Sequence, residues 1–176
     1  MEKTGLDFGQ LIAYLIPGFL SLYALSTRVG LIKALFGGDK GVPETGAILP
    51  LLLLALGAGV MINAIGWALV RPLIALSGVK RPRNLDYTKL TADDIKVYKS
   101  VVEDNFRYHQ FYTNMLVATV LLSSLWLAKP VYEPKIRNIS WLFVVCILFF
   151  AARDSLSRAY RRMLALQTKE HKDAND

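Results

Sequence analysis

Four apolar stretches, residues 8–26, 47–70, 111–128 and 139–152, divide the chain and leave it few ways to fold. A bilayer's hydrocarbon core is about 30 Å thick, and about 20 apolar helical residues cross it. The first three stretches approach that length, and the fourth is shorter. The pattern predicts an all-α integral membrane protein. It is a four-transmembrane-helix bundle with the third helix extended into the cytoplasm. Little chain remains between the stretches, so residues 1–176 read as a single membrane domain. Within it, 78–110 form a cytoplasmic linker and helix extension, and 153–176 form a basic cytoplasmic helix and tail.

Charge supports this division. Apolar residues make up 53% of the chain and charged residues 20%, and the charges gather between the stretches. The connection after the second stretch carries Arg71, Lys80, Arg81, Arg83, Lys89, Lys96, Lys99 and Arg107, and the tail carries Arg153, Arg158, Arg161, Arg162, Lys169 and Lys172. The other two connections are poorer in basic residues. Basic loops stay in the cytoplasm, which puts both termini and the central connection inside. Trp126, Tyr132 and Trp141 then fall near the outer interface. The location implied is a bacterial inner membrane, crossed several times. The net charge of +7 follows from this asymmetry and is by itself no evidence for nucleic-acid binding, and no direct nucleic-acid binding is expected.

Local signals refine the picture. The first stretch lacks a small-x-small cleavage site, since Tyr23 and Leu25 stand where small residues would be needed. It reads as a retained helix, interrupted by Pro17-Gly18 and kinked there rather than ended. Residues 28–36 keep helical periodicity, and two readings are open: a short interfacial helix, or a tilted continuation of the first helix. Thr91 looks like an N-cap with Asp93 and Asp94 in the first turn. No Gly or Pro follows until Pro130. A helix over about 92–128 would be about 55 Å long and would project from the bilayer. Its stripe of Ile95, Tyr98, Val102, Phe106 and His109 is expected to pack against Leu156, Tyr160, Met163 and Leu164. Lys99–Glu103 and Glu103–Arg107 can pair at i,i+4 on another face.

Polar residues within the stretches are the main functional lead. Counted inward at about 1.5 Å per residue, Gln10, Asn63, Asn114 and the Arg153-Asp154 pair fall at one depth, about 20–24 Å from the outer surface. Polar groups in hydrocarbon are costly, so they tend to face one another. This predicted layer either locks helix packing or holds an ion, a lipid head group or a regulatory ligand. Tyr14, His109 and Tyr112 lie next to it. In the second stretch, Ala55, Gly59, Asn63 and Gly66 recur about once per turn, a small-residue stripe for close helix approach within the chain or between copies. Tyr98, Val102 and Phe106, with Arg158, Arg161 and Arg162, form a candidate cytoplasmic docking surface. The same arginines also suit anchoring to anionic lipids, at about 1 kcal/mol each near such a leaflet.

Conventional enzyme chemistry finds little support, and no cofactor or metal is called for. Cys146 is the single cysteine, and His109 and His171 lie far apart. Motifs for zinc proteases, serine hydrolases and phosphate-cradling loops are absent. Asp93-Asp94 is better explained by first-turn helix charge than by metal binding. Arg107-Tyr108-His109 has the wrong spacing for the Arg/His pair of HEPN ribonucleases.

Through Pro17-Gly18-Phe19 and the aromatic run from Phe106 to Tyr112, and in its overall build, the chain resembles small four-span membrane subunits of bacterial phage-defence systems, such as the membrane component of Kiwa. That resemblance implies an oligomeric membrane sensor, effector or scaffold working with a cytosolic protein. The alternative is a channel, transporter or lipid-processing enzyme that works through the polar layer.

Overall fold

A computed structural model describes residues 8–38, 43–79, 81–82, 95–96, 98, 102–126 and 134–173. The described chain is all-helical. The elements are α1 (Phe8–Ser26), α2 (Gly30–Leu35), a 3-10 turn (Thr45–Ala47), α3 (Ile48–Ile65), a π-helical segment (Gly66–Val70), α4 (Arg71–Leu76), α5 (Glu103–Trp126) and α6 (Pro134–Asp173). Four expectations lie outside the described residues: the Thr91 cap with Asp93 and Asp94, the Lys99 pair, most of the 78–84 linker, and the placements of Tyr132 and of the Trp126 and Gln10 side chains.

Proline chemistry shapes two of the helices. Pro17 sits within α1 without ending it. Pro72 sits at the start of α4, directly after the π-helical segment. A proline gives no N–H to the carbonyl four residues back and crowds it sterically. A wider π turn ahead of Pro72 relieves that conflict, so the helical path runs on to Leu76 instead of stopping at Val70. The result is one run, Thr45–Leu76, of 32 residues. The fourth apolar stretch likewise joins the basic segment after it, because α6 continues unbroken for 40 residues. Between α1 and α2 the chain breaks at Thr27 to Val29, which favours a separate short helix over a continuous one. Phe36, just after α2, packs edge-on against Phe19 and Tyr23 of α1, with centroids 5.2 and 5.9 Å apart.

Pairing follows from specific contacts. Gly18 faces Ala55, and Tyr14 faces Gly59, so α1 and α3 are antiparallel. Gly66 meets Thr113, while Trp67 meets Phe106, so the α3–α4 run is antiparallel to α5. His109 reaches Ala152. Val102, just before α5, shares a core with Leu156, Tyr160 and Met163, so α6 also runs antiparallel to α5. α1 packs between α3 and α5, and α6 lies on α5. One end of the assembly gathers Arg71, Arg107, Arg153, Arg158, Arg161 and Arg162 and is called the basic end below.

Thr45–Leu76 and Asn138–Ala165 are long and apolar enough to cross a membrane. Their most apolar windows are 22% and 11% buried within the chain. A soluble protein's core helix would be covered by its neighbours. Here Leu49, Leu53, Met61, Leu69 and Leu73 on one run, and Ile139, Leu142, Phe143, Ile147 and Phe150 on the other, are exposed.

Candidate functional site

The small-residue stripe makes the closest helix contact. A Cβ on Gly18 would overlap the Ala55 carbonyl, and one on Gly59 would overlap the Tyr14 carbonyl. Backbone therefore lies directly on backbone, which suits weak Cα–H···O contacts and dispersion. Ala55 is fully buried, and Gly66 is closed over by Thr113 and Asn114. The stripe thus packs within the chain, on α1 and α5.

One turn from that contact, Asn114 is fully buried and its Nδ2 donates to the Ala13 carbonyl at 3.0 Å. The partner has a reason. Ala13 stands four residues before Pro17, so its carbonyl is the one that loses a helical donor. Asn114 supplies the donor from a neighbouring helix. Its Oδ1 and the Thr113 hydroxyl are buried without partners. Asn63 lines a narrow gap beside Gly66, His109 and Thr113.

Among the described residues, Asn114, Arg153 and Asp154 do not meet in one layer. Arg153 is not paired with Asp154. Its Nε donates to Ser77 Oγ at 3.0 Å and its Nη2 to the Ser77 carbonyl at 3.3 Å. Ser77 closes α4, where a cation complements the helix C-terminus. Gly78 follows with φ 95°, a conformation that a side chain resists, and turns Val79 into the core. Asp154 pairs instead with Arg158 one turn along α6. The reason is angular: adjacent helical residues project about 100° apart, so Arg153 and Asp154 face different neighbours. Arg153 therefore belongs with His109, whose Nδ1–H donates to the Ala152 carbonyl at 2.9 Å, on a level nearer the basic end than Asn114.

The candidate site lies at the basic end. A cleft of about 440 Å³ opens between the α3–α4 run, α5 and α6. Arg71, Arg81, Arg107, Glu103, Gln110 and Tyr160 supply its polar lining, and Trp67, Tyr98, Val102, Phe106 and Met163 supply its apolar walls. Arg71 lies over the Trp67 ring, 3.9 Å from its centroid, and its Nη2 donates to Tyr160 Oη at 3.1 Å. Phe106 backs Trp67 at 6.0 Å. Arg107 pairs with Glu103 and Asp104, each at 3.6 Å. Among the described residues, neither Arg71 nor Arg81 has a carboxylate partner. The same residues contain no cluster of three His, Cys, Asp or Glu side chains.

The proposed docking residues divide accordingly. Val102 is 1% exposed and packs in the core with Leu156 and Tyr160, so it offers no surface to a partner. Tyr98 and Phe106 line the cleft, while Arg158, Arg161 and Arg162 are exposed on α6. Arg71 and Tyr160 were not singled out as a pair by the sequence, although Trp67 and Arg71 stand at the i,i+4 spacing that lets a cation cover a ring.

No protein-family model matches the chain, nor does any curated protein or solved structure.

Proposed function

We propose that the protein is a non-enzymatic, polytopic membrane protein that acts as a sensor or scaffold through the arginine-lined cleft at its basic end. The observation that carries the reading is the exposure of two long apolar helices that the rest of the chain leaves uncovered. Lipid is the solvent such surfaces suit. The backbone contact between α1 and α3, and the proline-orphaned carbonyl met by a buried amide, are devices suited to the same environment. All four long helical runs then cross the bilayer, with the basic end inside. Tethered Arg71, the cleft and the exposed arginines of α6 together make the inner face a place where an anionic ligand and a cytosolic partner could be read together.

The test is fractionation followed by labelling. The protein should stay with membranes through alkaline carbonate extraction and leave only with detergent. In a Cys146→Ala background, Glu44→Cys should react with an impermeant thiol reagent from outside intact spheroplasts, and Arg162→Cys should react only after lysis. Release by carbonate would reject the membrane reading, and reversed labelling would reject the orientation.

A further inference from the structure

We infer that the cleft between the α3–α4 run, α5 and α6 binds the phosphate of an anionic phospholipid, on Arg71 and Arg81. The inference rests on the membrane reading above and names the ligand class of that site. Three observations carry it.

The first is charge that the described chain does not neutralise. Of the charged groups facing the cleft, Arg107 is held by Glu103 and Asp104. Arg71 and Arg81 have no such partner among the described residues. Arg71 uses one N–H on Tyr160 and keeps the remainder of its fork available. A guanidinium fork matches the paired oxygens of a phosphate.

The second is pre-organisation. Arg71 is stacked on Trp67 and tied to Tyr160, so its orientation is set before any ligand arrives. A long side chain held in this way loses little entropy on binding. Gly78, in its left-handed conformation, reverses the chain after α4 and lets Arg81 return to the same cleft.

The third observation selects the source of the phosphate. Leu73 and Leu76 lie on the basic-end side of Arg71 and are exposed, Leu76 at 83%. Five residues of helix span about 7.5 Å, so apolar surface extends past the guanidinium by that distance. Arg71 thus sits just inside the edge of the apolar surface, so a phosphate bound there has exposed apolar side chains beside it, as the phosphate of a lipid drawn into the cleft would. The Trp67, Tyr98 and Phe106 walls suit the glycerol and upper acyl carbons of the same molecule. A soluble phosphate compound would have no use for them.

The experiment uses the full chain in detergent, with phosphatidylglycerol as the probe and phosphatidylcholine as the reference lipid. Native mass spectrometry counts the lipid retained. Arg71→Gln and Arg81→Gln are each expected to weaken phosphatidylglycerol retention about tenfold, the effect of losing one charge-assisted contact. Arg162→Gln, which removes an equal charge outside the cleft, should leave retention unchanged. Tyr160→Phe frees the Arg71 tether while keeping its charge, and should retain lipid more tightly than Arg71→Gln does. Circular dichroism of each variant monitors the fold. Equal loss in Arg162→Gln and Arg81→Gln would overturn the site in favour of diffuse attraction, and wild-type retention in both cleft variants would overturn it outright. Inorganic phosphate or glycerol phosphate that displaces phosphatidylglycerol at equal concentration would keep the phosphate chemistry and overturn the lipid as its source. Carbonate extraction reads membrane insertion separately, so failure of the cleft leaves that reading standing.

Discussion

The bond from Asn114 to the Ala13 carbonyl gives a prediction in which two substitutions must depend on each other. Asn114→Leu keeps the branched shape but removes the donor, and the Ala13 carbonyl is then left with no partner because Pro17 cannot supply one. An orphaned buried carbonyl costs about 1–3 kcal/mol. Two features reduce the net effect. Asn114 Oδ1 is already unpaired, so its removal brings some relief. Side-chain hydrogen bonds between membrane helices average about 0.6 kcal/mol, with a maximum of about 1.7. The expected loss is about 1 kcal/mol, roughly fivefold in the unfolding equilibrium. In a Pro17→Ala background, residue 17 regains its N–H and bonds Ala13 through the helix. Asn114→Leu should then cost almost nothing, or stabilise. Reversible unfolding in mixed micelles, followed by circular dichroism for wild type, both single variants and the double variant, gives the coupling energy directly. The cycle cancels the packing change at the proline ring. Costs that add within about 0.3 kcal/mol, the usual behaviour of independent sites, would refute the account.

Other perturbations have defined outcomes. Gly59→Ala and Gly18→Ala each force α1 and α3 apart at a backbone contact and should cost about 1–3 kcal/mol, read as a lowered unfolding midpoint in micelles; an unchanged midpoint for both would mean the helices do not meet there. Val102→Ala should cost about 2 kcal/mol by emptying a core position, and should not release a cytosolic partner from a variant that remains folded. Arg153→Gln should lower the midpoint more than Asp154→Leu does, because Arg153 holds the end of α4 while Asp154 joins a partly exposed i,i+4 pair worth about 0.3–0.5 kcal/mol; the opposite order would restore the Arg153–Asp154 pair as the important one.

Much of the architecture was legible because it depends on one-dimensional quantities. Apolar run length fixed the long helices, and small-residue spacing located the face of α3 that meets α1. The periodicity of Val102, Leu156, Tyr160 and Met163 anticipated the core at the basic end, but Ile95 and Leu164, expected in the same contact, are exposed. Helix ends were less legible. Residues 47–70 stop before Arg71-Pro72, a pair that usually ends a helix, and the π turn that carries the helix past it has no composition of its own. The polar layer failed for a different reason. Counting depth along each helix says how far down a residue lies but not which way it points. Arg153 and Asp154 share a depth yet diverge around α6, one toward Ser77 and the other toward Arg158.

The two prolines suggest a better rule for reading such chains. A proline within an apolar helix names, four residues back, the carbonyl that needs a donor. Pro17 points to Ala13, and the structure answers with Asn114, the one fully buried amide described. Pro72 points to Ala68, and there the answer is a local change of helix type. The first solution ties α1 to α5 and needs a polar side chain in the second helix. The second needs no side chain, and it carries the helix far enough to set Arg71 over Trp67 and to bring Ser77 to Arg153. A polar residue in an apolar helix is therefore read first against the prolines of its neighbours. Asn114 then becomes a packing residue. Arg71 and Arg81 at the basic end, which have no carboxylate partner among the described residues, rather than the amides at mid-depth, become the place to look for a ligand.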